Sequence, residues 1–244
     1  MTSPSRDRPG CPDRTGFTLV ELLVVIGVIV LLMGIFLAAF AKARQTANSV
    51  SCASNLRQWG MATQMYANEN NGFLPRRGQG VGPTFQVARP ADWFNALPPI
   101  LRMKRYMDLV GAEGVPRPPG STLWLCAQAS DFDSKYYWSY GMNMALSVWE
   151  ANQNNGQPNK ITGVGSTATM VLFADAPGNY CSVFPSKSPG GYNPVPRHSN
   201  RVNICFLDGH VEGIDPSYIG VGTGLIEHPD VRWRPPDSTW NSAQ

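Results

Sequence analysis

Phe17 to Ala41 is a run of 25 residues, FTLVELLVVIGVIVLLMGIFLAAFA, with a single ionisable group, Glu21. As a helix rising about 1.5 Å per residue, it spans the roughly 30 Å hydrocarbon core of a bilayer. Buried helices of soluble proteins seldom run so long without polar relief. A cleaved secretory signal has a shorter apolar core, about 7–15 residues. The run is therefore read as a retained transmembrane helix over 17–41. The segment before it, residues 1–16, is polar and rich in Pro and Gly. Three Arg precede the span, but Lys42, Arg44 and Arg57 follow it, so charge alone does not orient it.

The rest of the chain is not a nucleic-acid binder by composition. A net charge of +3 over 244 residues is weak, and no run of basic residues occurs. The 43 % hydrophobic content excludes a disordered protein, while 24 Gly and 21 Pro predict abundant loops.

A carboxylate inside a membrane helix is costly, so Glu21 reads as functional. The string Gly16-Phe17-Thr18-Leu19-Val20-Glu21, followed by the apolar run, resembles the leader of type IV prepilins and type II secretion pseudopilins. The resemblance implies that prepilin peptidase cuts between Gly16 and Phe17 on the cytoplasmic side. It further implies N-methylation of Phe17 and an apolar helix that first anchors the chain and later packs in a filament. Phe17 and Glu21 stand i and i+4, on one helical face. After cleavage, the Phe17 ammonium and a neighbouring subunit's Glu21 carboxylate would offset each other's burial. Many pilins carry a proline about twenty residues into the mature helix; here that position is Ala38.

Helical character continues through 42–72. Cys52, Leu56, Trp59, Thr63 and Tyr66 recur at spacings of 4, 3, 4 and 3, which predicts one buried face. Asn70-Asn71-Gly72 predicts the helix end, with Gly72 at C′. The words SCASNLRQWGMATQMYANENNG resemble the same half-helix in bacterial pseudopilin-like proteins. The remainder, 73–244, reads as a β-rich head. Expected elements are a short helix near Ile100–Val110, strands at Thr122–Cys126, Tyr136–Tyr140 and Met170–Asp175, and a long loop over 176–200. A polar loop is expected at 151–160. Alternating residues from Val202 and the Asp208-Gly209 pair predict a hairpin over 198–214 closed by a type I′ turn. His198 precedes Asp208-Gly209 by nine intervening residues, similar to the His-x9-Asp-Gly motif near the C-terminus of many prepilin-type proteins.

Asp175, His198, Asp208 and His210 are the residues that could converge on a metal or on acid–base chemistry. The simpler expectation is structural: Asp208 supports the turn, His198 bonds backbone beside it, and Asp175 caps a loop. No Asp/Asn run has calcium-loop spacing, and no nucleophile elbow, P-loop, Rossmann glycine pattern or HExxH occurs. No catalytic residue, cofactor or metal is therefore expected. Cys11 would leave with the leader. Cys52, Cys126, Cys181 and Cys205 remain, allowing three pairings. Cys52 with Cys126 and Cys181 with Cys205 would staple helix to sheet and loop to hairpin; reduced, buried thiols are the alternative.

The expected fold is α+β and pilin-like: one long N-terminal helix, its distal half packed on a small antiparallel sheet. The resemblance implies a structural, non-enzymatic filament subunit in the inner membrane, N-terminus cytoplasmic and head extracytoplasmic. Its partners would be its own copies, prepilin peptidase, an assembly platform and the membrane, with no nucleic acid. The rival is an anchored enzyme or ligand-binding domain that uses the leader only for export.

Overall fold

The computed structural model describes residues 17–78, 87–112, 114–116, 122–129, 136–147, 160–178, 180–188 and 191–236. The leader, including Gly16, and most of the expected 151–160 loop lie outside them. Helix α1 runs Leu19–Glu69, and the chain divides into two compact units after Arg44.

The first unit is the proximal part of α1. Its apolar side chains are exposed on every face, from Phe17 at 79 % to Phe40 at 58 %. A helix that is hydrophobic all round needs lipid or protein around it. The helix begins with a capping box. Thr18 N–H and Thr18 Oγ1 donate to Glu21 Oε2 at 2.9 and 2.8 Å, and Glu21 N–H donates back to Thr18 Oγ1 at 3.2 Å.

In the second unit, 45–244, the distal part of α1 buries Cys52, Asn55, Leu56, Trp59, Gly60, Ala62, Thr63 and Ala67. Tyr66, expected on this face, is half-buried. The helix ends in a Schellman arrangement: Gly72 N–H reaches Ala67 O at 2.8 Å, so Asn71, at φ 54°, is C′ in place of Gly72. Asn tolerates this left-handed position because its short side chain bonds locally.

Two short helices follow, α2 at Trp93–Ala96 and α3 at Tyr106–Ala112, where one helix near 100–110 was expected. The Pro98-Pro99 pair opens tight turns that run to Met103 and delay the second helix. Thr122–Cys126 is a turn and not a strand, closed by Leu125 N–H on Thr122 O. Its carbonyls serve the helix: Asn55 Nδ2 donates to Thr122 O at 2.8 Å, and Trp59 Nε1 to Leu123 O at 3.0 Å.

The strands are β1 (Trp138–Asn143), β2 (Val171–Gly178), β3 (Ser182–Val183), β4 (Val202–Phe206) and β5 (Val211–Ile214), in the order β3-β1-β2-β4-β5. Three pairs are antiparallel, but β3 adds to β1 in parallel, so the sheet is mixed. β2 continues past Asp175, and β3 interrupts the expected loop over 176–200. A bulge in β2 sets Leu172 and Phe173 in the same core cluster, breaking the alternation.

Both faces of the sheet are covered. Phe173, Cys205 and Leu207 join Trp59, Trp93 and Trp124 in the larger core, where Trp59 lies 4.9 Å from Trp124 and 5.3 Å from Trp93. Val202, Ile204 and Phe206 point the other way, into a second cluster with Ile219, Val231 and Trp233. Ile219, Val231 and Trp233, from the chain that follows β5, thus cover the second face.

The His198-to-Ile214 segment contains two different turns. Ser199 and Asn200 have φ of 53° and 61°, and His198 and Arg201 exchange both backbone hydrogen bonds. That is the two-residue type I′ turn. The expected I′ turn at Asp208-Gly209 is instead a three-residue loop: Gly209 N–H returns to Phe206 O, Phe206 N–H meets His210 O, and only Gly209 has positive φ, at 92°. Leu207 and Asp208 are not among the positive-φ residues, and the glycine supplies the bulge.

Candidate functional site

The distal helix, the 122–126 turn, β2 and the start of the His198 hairpin meet in one polar point inside the head. Asn55 and Cys52 share the buried face of α1, and the Asn55 bonds to the turn bring Cys126 against Cys52. Cys126 N–H donates to Ser139 Oγ at 2.8 Å, which fixes the turn on β1. The thiols of Cys52 and Cys126 and a ring nitrogen of His198 lie within 4.8 Å of one another. Cys126 Sγ is 3.5 Å from His198 Nε2, and the same nitrogen is 3.5 Å from Asp175 Oδ2. Asp175 Oδ2 accepts the Asn203 N–H at 2.8 Å across the β2–β4 pair. All four side chains are enclosed, none in a residue more than 4 % exposed. Asp175 Oδ1, His198 Nδ1 and Asn203 Nδ2 have no hydrogen-bond partner.

The electrostatics favour charge separation within the cluster. Burial works against an imidazolium at His198, but the hydrogen bonds and charges of Asp175 and Cys52 outweigh it and push its pKa up to about 9. The Cys126 thiol donates to Cys52, which lowers the Cys52 pKa despite burial and raises that of Cys126. The nearby Tyr140 hydroxyl is held well above its usual range by burial and by the neighbouring thiols and Asp175; it accepts from Asn55 Nδ2 at 3.1 Å.

Of the four groups singled out in the sequence, Asp175 and His198 come together and Asp208 and His210 do not join them. The five-residue strand β4 separates the two ends by about 17 Å. Asp208 Oδ1 instead meets its neighbour His210 Nδ1 at 2.6 Å on an exposed turn, where His210 stacks on Phe206. His198 therefore bonds nothing beside Asp208, and Asp175 sits inside β2 and caps no loop. His228 stacks on Tyr218 with ring centroids 3.6 Å apart.

Cys52, Cys126, Cys181 and Cys205 are all buried, and no disulfide joins any of these described cysteines. Cys181 adjoins β3, and Cys205 lies in β4, three strand spacings or about 14 Å away, beyond disulfide reach. Burial pushes the Cys205 thiol up to about 12, as expected of an inert core cysteine. Sequence reasoning paired Cys52 with Cys126 but left His198 and Asp175 outside that pair. The missing signal was the Ser199-Asn200 turn, which reverses the chain at His198.

At the N-terminus, Phe17 and Glu21 are both exposed, and Glu21 is engaged by its own helix start. The Thr18-x-x-Glu21 spacing is a readable capping signal that the filament reading passed over.

Comparison with curated proteins and with solved structures gives no match. Residues 11–37 match the family model described as the prokaryotic N-terminal methylation motif. That motif implies processing by prepilin peptidase and pilin-like assembly. Together with the long apolar helix that it overlaps, the one such helix among the described residues, it supports a type IV pilin-like, exported protein with a membrane anchor.

Proposed function

We propose that the chain is a structural subunit of a type II secretion pseudopilus or a type IV pilus-like filament. Prepilin peptidase hydrolyses the Gly16–Phe17 peptide bond, and the new Phe17 amino group is methylated. The apolar part of α1 holds the subunit in the inner membrane, N-terminus cytoplasmic, until an assembly platform transfers it to a filament of its own copies. The observation that carries this reading is the methylation motif at 11–37, which covers the start of a helix whose large apolar side chains are all exposed as far as Phe40. The rival reading, an anchored enzyme, draws no support from the buried cluster, which a substrate could reach only if the core opened. No catalytic role is assigned.

Glu21 has two duties in the proposed cycle. Before cleavage it caps its own helix; in the filament its charge offsets a neighbour's Phe17 ammonium. Glu21→Gln separates them, because glutamine completes a capping box but carries no charge. The variant should insert into the membrane as the parent does and fail to enter sheared filaments. Incorporation at parental levels would refute the charge pairing.

A further inference from the structure

We propose that Cys52, Cys126, His198 and Asp175 form a structural zinc site that locks α1 to the sheet. The spacing carries the assignment. Zinc binds thiolate sulfur at about 2.3 Å and imidazole nitrogen at about 2.0–2.1 Å in a tetrahedron, which sets a sulfur–nitrogen edge of about 3.6 Å and an oxygen–nitrogen edge of about 3.3 Å. Cys126 Sγ stands 3.5 Å from His198 Nε2, and Cys52 Sγ lies within 4.8 Å of both; Asp175 Oδ2 stands 3.5 Å from the same nitrogen, outside that three-ligand group, and supplies the fourth ligand by turning toward the sulfurs on binding. Two sulfurs, one nitrogen and one oxygen are the donor set of a borderline-soft divalent ion.

A second observation points the same way. Asp175 is fully buried and its Oδ1 has no partner. A disulfide between Cys52 and Cys126 would consume both sulfurs and leave His198 with only this carboxylate, whose one other partner is the Asn203 N–H, in a dry core, which is costly. A zinc ion compensates all four groups. Binding forms two Zn–S bonds, one Zn–N bond and one Zn–O bond, and releases two protons to solvent, one from Cys126 and one shared by the Cys52–His198 pair. The site joins α1, the 122–126 turn, β2 and the His198 hairpin, which also share the larger apolar core. A closed four-ligand sphere gives the ion a folding role and no reaction.

The full chain, purified in detergent and reduced under nitrogen, should take up one equivalent of Co²⁺. The spectrum should show the intense visible bands of a tetrahedral site and a near-ultraviolet thiolate-to-cobalt band, and Zn²⁺ should bleach both. His198→Gln and Cys52→Ser should abolish the spectrum; Cys181→Ser, at a cysteine outside the cluster, should keep it. The test does not depend on the variants folding, because the spectrum of the parent chain reports the ligands directly. No cobalt uptake, a spectrum without thiolate character, or a Cys52–Cys126 disulfide in the mature chain would overturn the assignment.

Discussion

Gly60 lies in the interior of a helix, where alanine is ordinarily better by about 0.5–1 kcal/mol. The structure reverses that expectation. A Cβ at Gly60 would sit 2.7 Å from Cys205 Sγ and 3.4 Å from Gly209 Cα. The first contact is about 1 Å inside ordinary van der Waals separation. Cys205 cannot swing aside, because it is fully buried in the strand facing the helix. Overpacking of this kind costs about 1–3 kcal/mol. Gly60→Ala should therefore destabilise the head by about 1 kcal/mol net, or about 2–4 °C in Tm for a unit of this size. Cys205→Ala removes the obstructing sulfur, so in that background Gly60→Ala should stabilise by about 0.5–1 kcal/mol. The two substitutions should then couple by roughly 1–3 kcal/mol in a double-mutant cycle read by urea denaturation of the detergent-solubilised chain. Stabilisation by Gly60→Ala alone, or additivity of the pair, would refute the close approach of helix and sheet at this point.

Gly209→Val places a β-branched residue at φ 92° and should cost about 1–3 kcal/mol, measured as a lower melting temperature. An unchanged melting temperature would contradict the three-residue turn. Asp92 is buried with both carboxylate oxygens unpartnered, and desolvation, opposed by the charges of Arg89, Arg76 and Arg77, raises its pKa from 3.8 to about 7. The folded state holds that proton more tightly than the unfolded state. Its stabilising effect is therefore full below about pH 4 and is lost as pH rises through about 7, a change on the order of a few kcal/mol. Asp92→Asn should flatten the stability profile between about pH 4 and 7; a slope that survives the substitution would assign the effect elsewhere.

The parts of this protein that were readable in advance are those governed by local pattern. The 25 apolar residues from Phe17, the 3-4 spacing from Cys52 and the apolar runs of β2 and β4 each fix an element type from neighbours in sequence. What escaped depends on partners far along the chain. Thr122–Cys126 has strand-like residues but uses its carbonyls to receive Asn55 and Trp59 from the helix, so it closes as a turn. The left-handed angles went to Ser199-Asn200, a pair with weaker turn preference than Asp-Gly, because His198 and Arg201 pair there and β4 must then run between the two cores. Half the candidate site was visible as Cys52 and Cys126. Its imidazole and carboxylate arrive only once β2 and the hairpin are paired.

The central claim is that this chain is a processed, pilin-like subunit, and its N-terminus tests that most directly. Intact and peptide mass spectrometry of the protein extracted from membranes should find Phe17 as the first residue, carrying one added methyl group. A mature pool that retains Met1, or one cut at any bond other than Gly16–Phe17, would contradict the claim.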